Sequence, residues 1–105
     1  MSHEEVMKMM EETGLPFAYD HFVEGESPEP PLLVFLYPKA DNLAADGIAY
    51  FKISRLDVEL YTDLKQPELE ERIEAVLLKH GIFYGKSEVF IESEQLYEVL
   101  YEMEV

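Results

Sequence analysis

The stretch Pro67-Glu68-Leu69-Glu70-Glu71-Arg72-Ile73-Glu74-Ala75-Val76-Leu77-Leu78-Lys79-His80-Gly81 decides how the rest of the chain is read. Proline suits the first position of a helix, where its missing N–H is not needed. Glu68, Glu70 and Glu71 place negative charge against the positive end of the helix dipole. Lys79 and His80 occupy the last turn, and Gly81 ends it. Leu69, Ile73, Val76 and Leu77 recur at helical spacing and predict the buried stripe. Glu68 and Arg72 stand four apart, as a surface ion pair would. A helix this well marked, set among strand-like segments, predicts an α+β domain.

On its C-terminal side, Ile82 to Ile91 reads as a strand interrupted by a turn-like Gly85-Lys86. A tight connection near Glu94-Gln95 follows. Then Tyr97, Val99, Tyr101, Met103 and Val105 alternate with Glu98, Leu100, Glu102 and Glu104. That period of two predicts a half-buried strand with a mostly acidic outer face.

On its N-terminal side, Ile48 to Asp63 is the longest strand candidate. Phe51 and Ile53 put apolar residues at odd positions, whereas Leu56, Val58 and Leu60 put them at even ones. One continuous pleat cannot keep both sets on one face, which predicts a bulge or sharp twist near Ser54-Arg55, or burial of both faces over part of the strand. Pro38 to Gly47 reads as a surface loop. The run Leu32 to Tyr37 is apolar without alternation, as in a strand covered on both faces. Val23 to Pro31, rich in proline and acids, predicts a stiff connection. A short strand over Phe17 to Phe22 precedes it.

The chain opens on a helix over about residues 3–13. Ser2 and Glu5 form its capping box and Gly14 its left-handed stop, with Leu15 placed to pack back on the last turn. Its methionines read as gap-fillers over a sheet rather than as a binding face. The order α-β-β-β-α-β-β therefore predicts an α+β fold: a mixed or antiparallel sheet of about five strands, with both helices on one side. Antiparallel pairing suits the short connections.

Length and composition narrow the function classes. A chain of 105 residues is a single domain, 1–105, and its 48% hydrophobic content supports an independent core. Twenty-three acids against eight bases leave a net charge of -15, with the bases scattered singly. That field argues against sequence-specific nucleic-acid binding and against an anionic membrane. The absence of cysteine excludes disulfides, thiolate chemistry and cysteine-based zinc sites. Met1 to Glu5 has no signal-peptide character, and no segment suits a membrane helix, so cytoplasmic residence is expected.

No catalytic, cofactor or metal residues are expected. Asp20-His21 beside Tyr19 would point to opposite faces of a strand. His80 serves a helix end and His3 a frayed terminus. Asp41-Asn42 and Asp46-Gly47 lack the alternating ligands of a calcium loop. The tyrosines are more informative, because a ring with a polar tip suits protein interfaces. Tyr37, Lys39, Asp41, Asn42, Tyr50, Arg55, Tyr61, Tyr97 and Tyr101 form the candidate subunit-interface set. Arg72 is explained by its helix pair, so Arg55 is the stronger interface arginine, and its reversal to Glu is expected to weaken self-association more than folding.

Several segments then carry a family resemblance: Leu60-Tyr61-Thr62-Asp63, Pro67-Glu68-Leu69-Glu70, Gly81-Ile82-Phe83-Tyr84, Ser87-Glu88-Val89-Phe90-Ile91-Glu92-Ser93 and Leu96-Tyr97-Glu98-Val99-Leu100-Tyr101-Glu102, together with Gly14 to Tyr37. The chain resembles small prophage head-to-tail structural proteins of Gram-positive bacteria, of the tail-terminator or tail-completion family. The resemblance implies a non-enzymatic subunit that caps the tail tube and docks it to the head connector. It also implies a homo-oligomeric ring, commonly a hexamer, first in the host cytoplasm and then at the head–tail junction of the virion. The competing expectation, motivated by the charge, is an acidic DNA mimic or other protein-binding inhibitor encoded by a prophage.

Overall fold

The computed structural model describes residues 1–45 and 48–105, with side chains described outside 41–53. Two helices, α1 (His3–Glu12) and α2 (Pro67–Lys79), accompany six strands: β1 (Phe17–Tyr19), β2 (Leu32–Leu36), β3 (Ala40–Ala45), β4 (Ile48–Thr62), β5 (Tyr84–Ile91) and β6 (Leu96–Glu104). Five of them form the main sheet in the order β1-β2-β4-β6-β5. The α+β class and the expected α-β-β-β-α-β-β order describe this body. The sixth strand, β3, lies inside the segment read as a loop and, among the described residues, pairs only with β4. Its Ala/Asp/Asn composition gives little strand signal, and backbone pairing to a longer neighbour makes it a strand all the same.

Register places the core. Leu33, Leu60 and Val99 form one rung across β2, β4 and β6, and Phe35, Val58 and Tyr101 form the next. Val6, Met9 and Met10 from α1 and Leu69, Ile73 and Leu77 from α2 pack on these rungs in one cluster. Both helices therefore cover the same face, and the α1 methionines are core residues. Leu32 and Val34 are also buried but lie outside that cluster, on the other face. Strand β2 is thus covered on both sides, as its unbroken apolar run predicts.

β1 pairs with β2 in parallel, which makes the sheet mixed, one of the two forms expected; the connection through residues 20–31 is long enough for a crossover. Three expectations about the strands are corrected, the first at β1. The strand itself stops at Tyr19, where Asp20 takes a positive φ of 64°. Gly85 and Lys86 lie within β5, paired to Glu102 and Tyr101, so no turn interrupts it. The irregularity of β4 is not at Ser54-Arg55. Leu43 pairs with Phe51 but Ala44 with Ala49, which leaves Tyr50 as the extra residue. Ser54-Arg55 is instead where β4 changes neighbours, from β3 to β2 and β6. The side chains of Phe51 and Ile53, on which the parity argument turned, lie outside the described set.

Ser2 and Glu5 make the expected reciprocal capping box on α1. At the other end Gly14 has φ +75°, and a Cβ there would meet Arg72 Nη2 at 3.1 Å. Arg72 makes no pair with Glu68. Its guanidinium instead donates to the carbonyl of Thr13, tying the end of α1 to α2. Gly14→Ala should therefore cost about 1–2 kcal/mol through left-handed strain and displacement of Arg72. Thermal melting should show a fall of several degrees.

Candidate functional site

The densest cluster of charge sits between α2 and the β5–β6 edge. Glu70, only 4% exposed, receives Lys65 Nζ at 2.6 Å and Lys86 Nζ at 2.9 Å. One turn on, Glu74 receives Lys86 Nζ at 2.8 Å and the hydroxyls of Tyr101 and Tyr84 at 2.8 and 3.1 Å. Lys65 also donates to Glu88 on β5. Burial pushes the carboxyls of Glu70 and Glu74 up, but hydrogen bonds from Lys65 and Lys86 to Glu70, and from Lys86, Tyr101 and Tyr84 to Glu74, outweigh it and hold both below the usual range. The hydrogen bond to Glu74 raises Lys86 despite its desolvation. All these groups partner one another, so the cluster fastens a helix to a sheet edge. Sequence reading placed Glu70 on the exposed first turn and missed it; Lys65, five residues ahead and reaching back, gives no periodic signal.

The sheet face turned away from the helices carries mixed rungs. Leu36, Asp57 and Glu102 form one, Val34, Glu59 and Leu100 the next, and Leu32, Tyr61 and Glu98 the third. Arg55 pairs with Glu102 and approaches Asp57 at 3.6 Å between Nε and Oδ1, two atoms buried without a hydrogen bond. Burial raises the Asp57 carboxyl, the neighbouring Glu102 raises it further, and Arg55 opposes both. Tyr61 donates to Glu59 at 2.7 Å, and burial with that bond raises its phenol. Burial, then the charge of Glu59, raises Glu98.

The candidate interface residues do not converge. Arg55 and Tyr61 share the helix-free face of β4. Tyr101 is fully buried and serves the Glu74 cluster, so its contacts are internal. Tyr97 packs on Phe90 with ring centroids 4.9 Å apart, at the other end of β6. Tyr37 sits in an aromatic group with Tyr19, Phe35 and His3, its hydroxyl 2.7 Å from His3 Nδ1. His3 is accordingly packed in the first turn of α1 rather than frayed. Lys39 immediately precedes β3. Asp41, Asn42 and Tyr50 have backbone in the β3–β4 ribbon, with side chains outside the described set, and Asp46-Gly47 lies outside it altogether.

The remaining polar groups are accounted for locally. Asp20 and His21 lie past the end of β1 in a turn, not in a strand, and their side chains do meet at 2.8 Å, both exposed. His80 caps α2 and also meets Glu12 of α1 at 3.2 Å. Among the described residues no three such groups converge as metal ligands. An open groove of about 780 Å³ runs along Arg55, Gly81–Gly85 and Glu102–Val105. Beside it Phe83, at the entrance to β5, is 94% exposed. No protein-family model matches the chain, and no curated protein matches it.

Two predictions follow from the charge clusters. Glu70→Gln should destabilise the fold by about 1–3 kcal/mol at pH 7. A depressed carboxylate contributes above its ordinary value of 4.5 and loses that contribution as pH falls through the folded value. The gap to wild type in melting experiments should therefore close toward pH 3. Arg55→Glu would set three carboxylates together on one partly buried face. It should cost at least about 2 kcal/mol of folding stability, read by denaturant titration, so its effect falls on the fold and not chiefly on self-association.

Proposed function

We propose that this chain is a non-enzymatic assembly subunit that caps a phage tail tube and joins it to the head connector, acting as a homo-oligomeric ring. The observation that carries the reading is the ribbon formed by β3 with the first half of β4. Among the described residues, 48–53 of β4 pair only with β3, and β3 has no second neighbour. A two-stranded ribbon is marginal in water and gains stability from a third strand or a packing surface. The molecule is correspondingly long, 50 × 29 × 23 Å, with a radius of gyration of 14.9 Å. A compact chain of this size has about 13 Å. An arm reaching out of the body is the shape an assembly subunit uses to engage its neighbours.

Other features support association over catalysis. The ionised groups of the Glu70–Glu74 cluster are occupied in fastening α2 to the sheet. The resemblance to tail-terminator proteins supplies the particular assembly, and the arm supplies the means of joining.

The test is loss and restoration of joining. A producing phage that lacks this protein should accumulate filled heads and unjoined tails, and the purified protein should restore joined particles in extract. Joined, infectious particles formed at the normal level without the protein would sink the reading.

A further inference from the structure

Resting on the reading that the chain self-associates, we infer which surfaces meet: the free edge of β3 in one copy adds, antiparallel, to the free edge of β5 in the next. The main sheet ends at β1 and β5. β1 has three residues, while β5 has eight, and every residue from Gly85 to Phe90 is exposed. An exposed strand edge of that length is a template for a further strand unless it is blunted. β5 has no proline and no bulge in its pairing with β6. Its apolar side chains are uncovered as well: Phe83 at its entrance, Val89 at 53% and Phe90 at 40%.

Charge narrows the occupant to a second copy of this chain. Two chains of net charge -15 repel unless they meet where the acids are few. Residues 39–54, which span the arm, hold Lys39 and Lys52 against Asp41 and Asp46, so the arm has no net charge and the -15 lies on the rest of the chain. β5 itself holds one base, Lys86, and one acid, Glu88. The β1 edge instead runs into Asp20, Glu24, Glu26 and Glu29. The flanks then fix the direction. β3 follows Lys39, and β5 precedes Glu92 and Glu94. Antiparallel addition brings Lys39 toward the two glutamates. Parallel addition would carry Lys39 to the other end of β5, away from them.

The two edges are different surfaces, so the contact is heterologous and propagates from copy to copy until it closes on itself. β5 is also the strand that the Lys65 and Lys86 bridges hold to α2, which gives the receiving edge a fixed position.

The chain contains no cysteine, so introduced pairs report one contact each. Double variants would carry Ala40→Cys, Asn42→Cys or Ala44→Cys on β3 with Gly85→Cys, Ser87→Cys or Val89→Cys on β5, all oxidised under conditions where wild type associates. Disulfides require Cα atoms within about 7 Å. The expected result is a ladder of covalent species beyond the dimer on denaturing gels. The best β5 partner should shift toward Gly85 as the β3 cysteine moves from Ala40 to Ala44. A second variant, Val89→Lys, should weaken self-association at least tenfold while melting as wild type does. Oligomers that persist with no such ladder, or that crosslink instead through Tyr19→Cys on β1, would overturn the edge assignment and leave self-association standing. A wild-type chain that stays monomeric by mass photometry, alone and with tail tubes, would remove the reading beneath it.

Discussion

Strand β4 is longer than the sheet that holds it, and the rest of the molecule is arranged around that mismatch. Its second half, from Arg55 to Thr62, lies between β2 and β6 and carries Leu56, Val58 and Leu60 into the core. Its first half has left the body of the sheet, and its backbone groups need partners of their own. β3 supplies them on one side, with the extra residue at Tyr50 adjusting the pairing. The handover at Ser54 is hydrogen-bonded rather than frayed. The Ser54 and Val105 backbones exchange N–H···O bonds at 3.2 and 2.9 Å, and Arg55 N–H donates to Lys39 carbonyl at 2.9 Å. The C-terminal end of β6 and the entrance to β3 thus anchor the root of the arm. One strand serves both as the middle of the core and as half of the projecting ribbon.

The acidity of the chain is managed differently in different places. Acids at the helix–sheet junction have cationic or phenolic partners, as at Glu70 and Glu74, with one lysine, Lys65, from the connection between β4 and α2 and the other, Lys86, from β5. On the helix-free face the compensation is thinner. A single arginine stands among Asp57, Glu102 and the acids of the neighbouring rungs, and burial raises the carboxyls of Asp57 and Glu98. Raised carboxyls bear their charge at a cost to the fold at neutral pH, a cost relieved as pH falls. The helix-covered face is therefore electrostatically settled and the open face is not.

The sequence made the helices legible because capping and periodicity are local signals. Ser2 with Glu5, Gly14, Pro67 and the Leu69–Ile73–Leu77 spacing each needs only its neighbours. The core rungs were legible too, because Leu56–Leu60 and Val99–Met103 alternate cleanly. What escaped notice depended on partners distant in sequence. β3 is a strand because β4 lies beside it, not because Ala40–Ala45 favours one. Arg72 looked satisfied by Glu68, yet it reaches 59 residues back to the end of α1. Tyr101 read as an interface tyrosine by residue type, while its burial is set by α2. Charge counted by segment was the missed signal: the bases seemed scattered singly, but Lys39, Lys52 and Arg55 all fall on or beside the arm.

The arm and the receiving edge also bear on what assembly can result. Two unlike edges, one on an arm and one fixed to α2, favour a directional contact in which each copy gives once and receives once. Such a contact yields a ring when the rotation per copy closes and a filament when it does not. In the proposed assembly the root of the arm at Ser54–Arg55 would set that rotation, because the direction in which the ribbon leaves the sheet fixes where the next copy would sit. The ion pairs and backbone bonds gathered there therefore do more than hold the end of β6. In the proposed assembly they would also hold the angle on which closure depends.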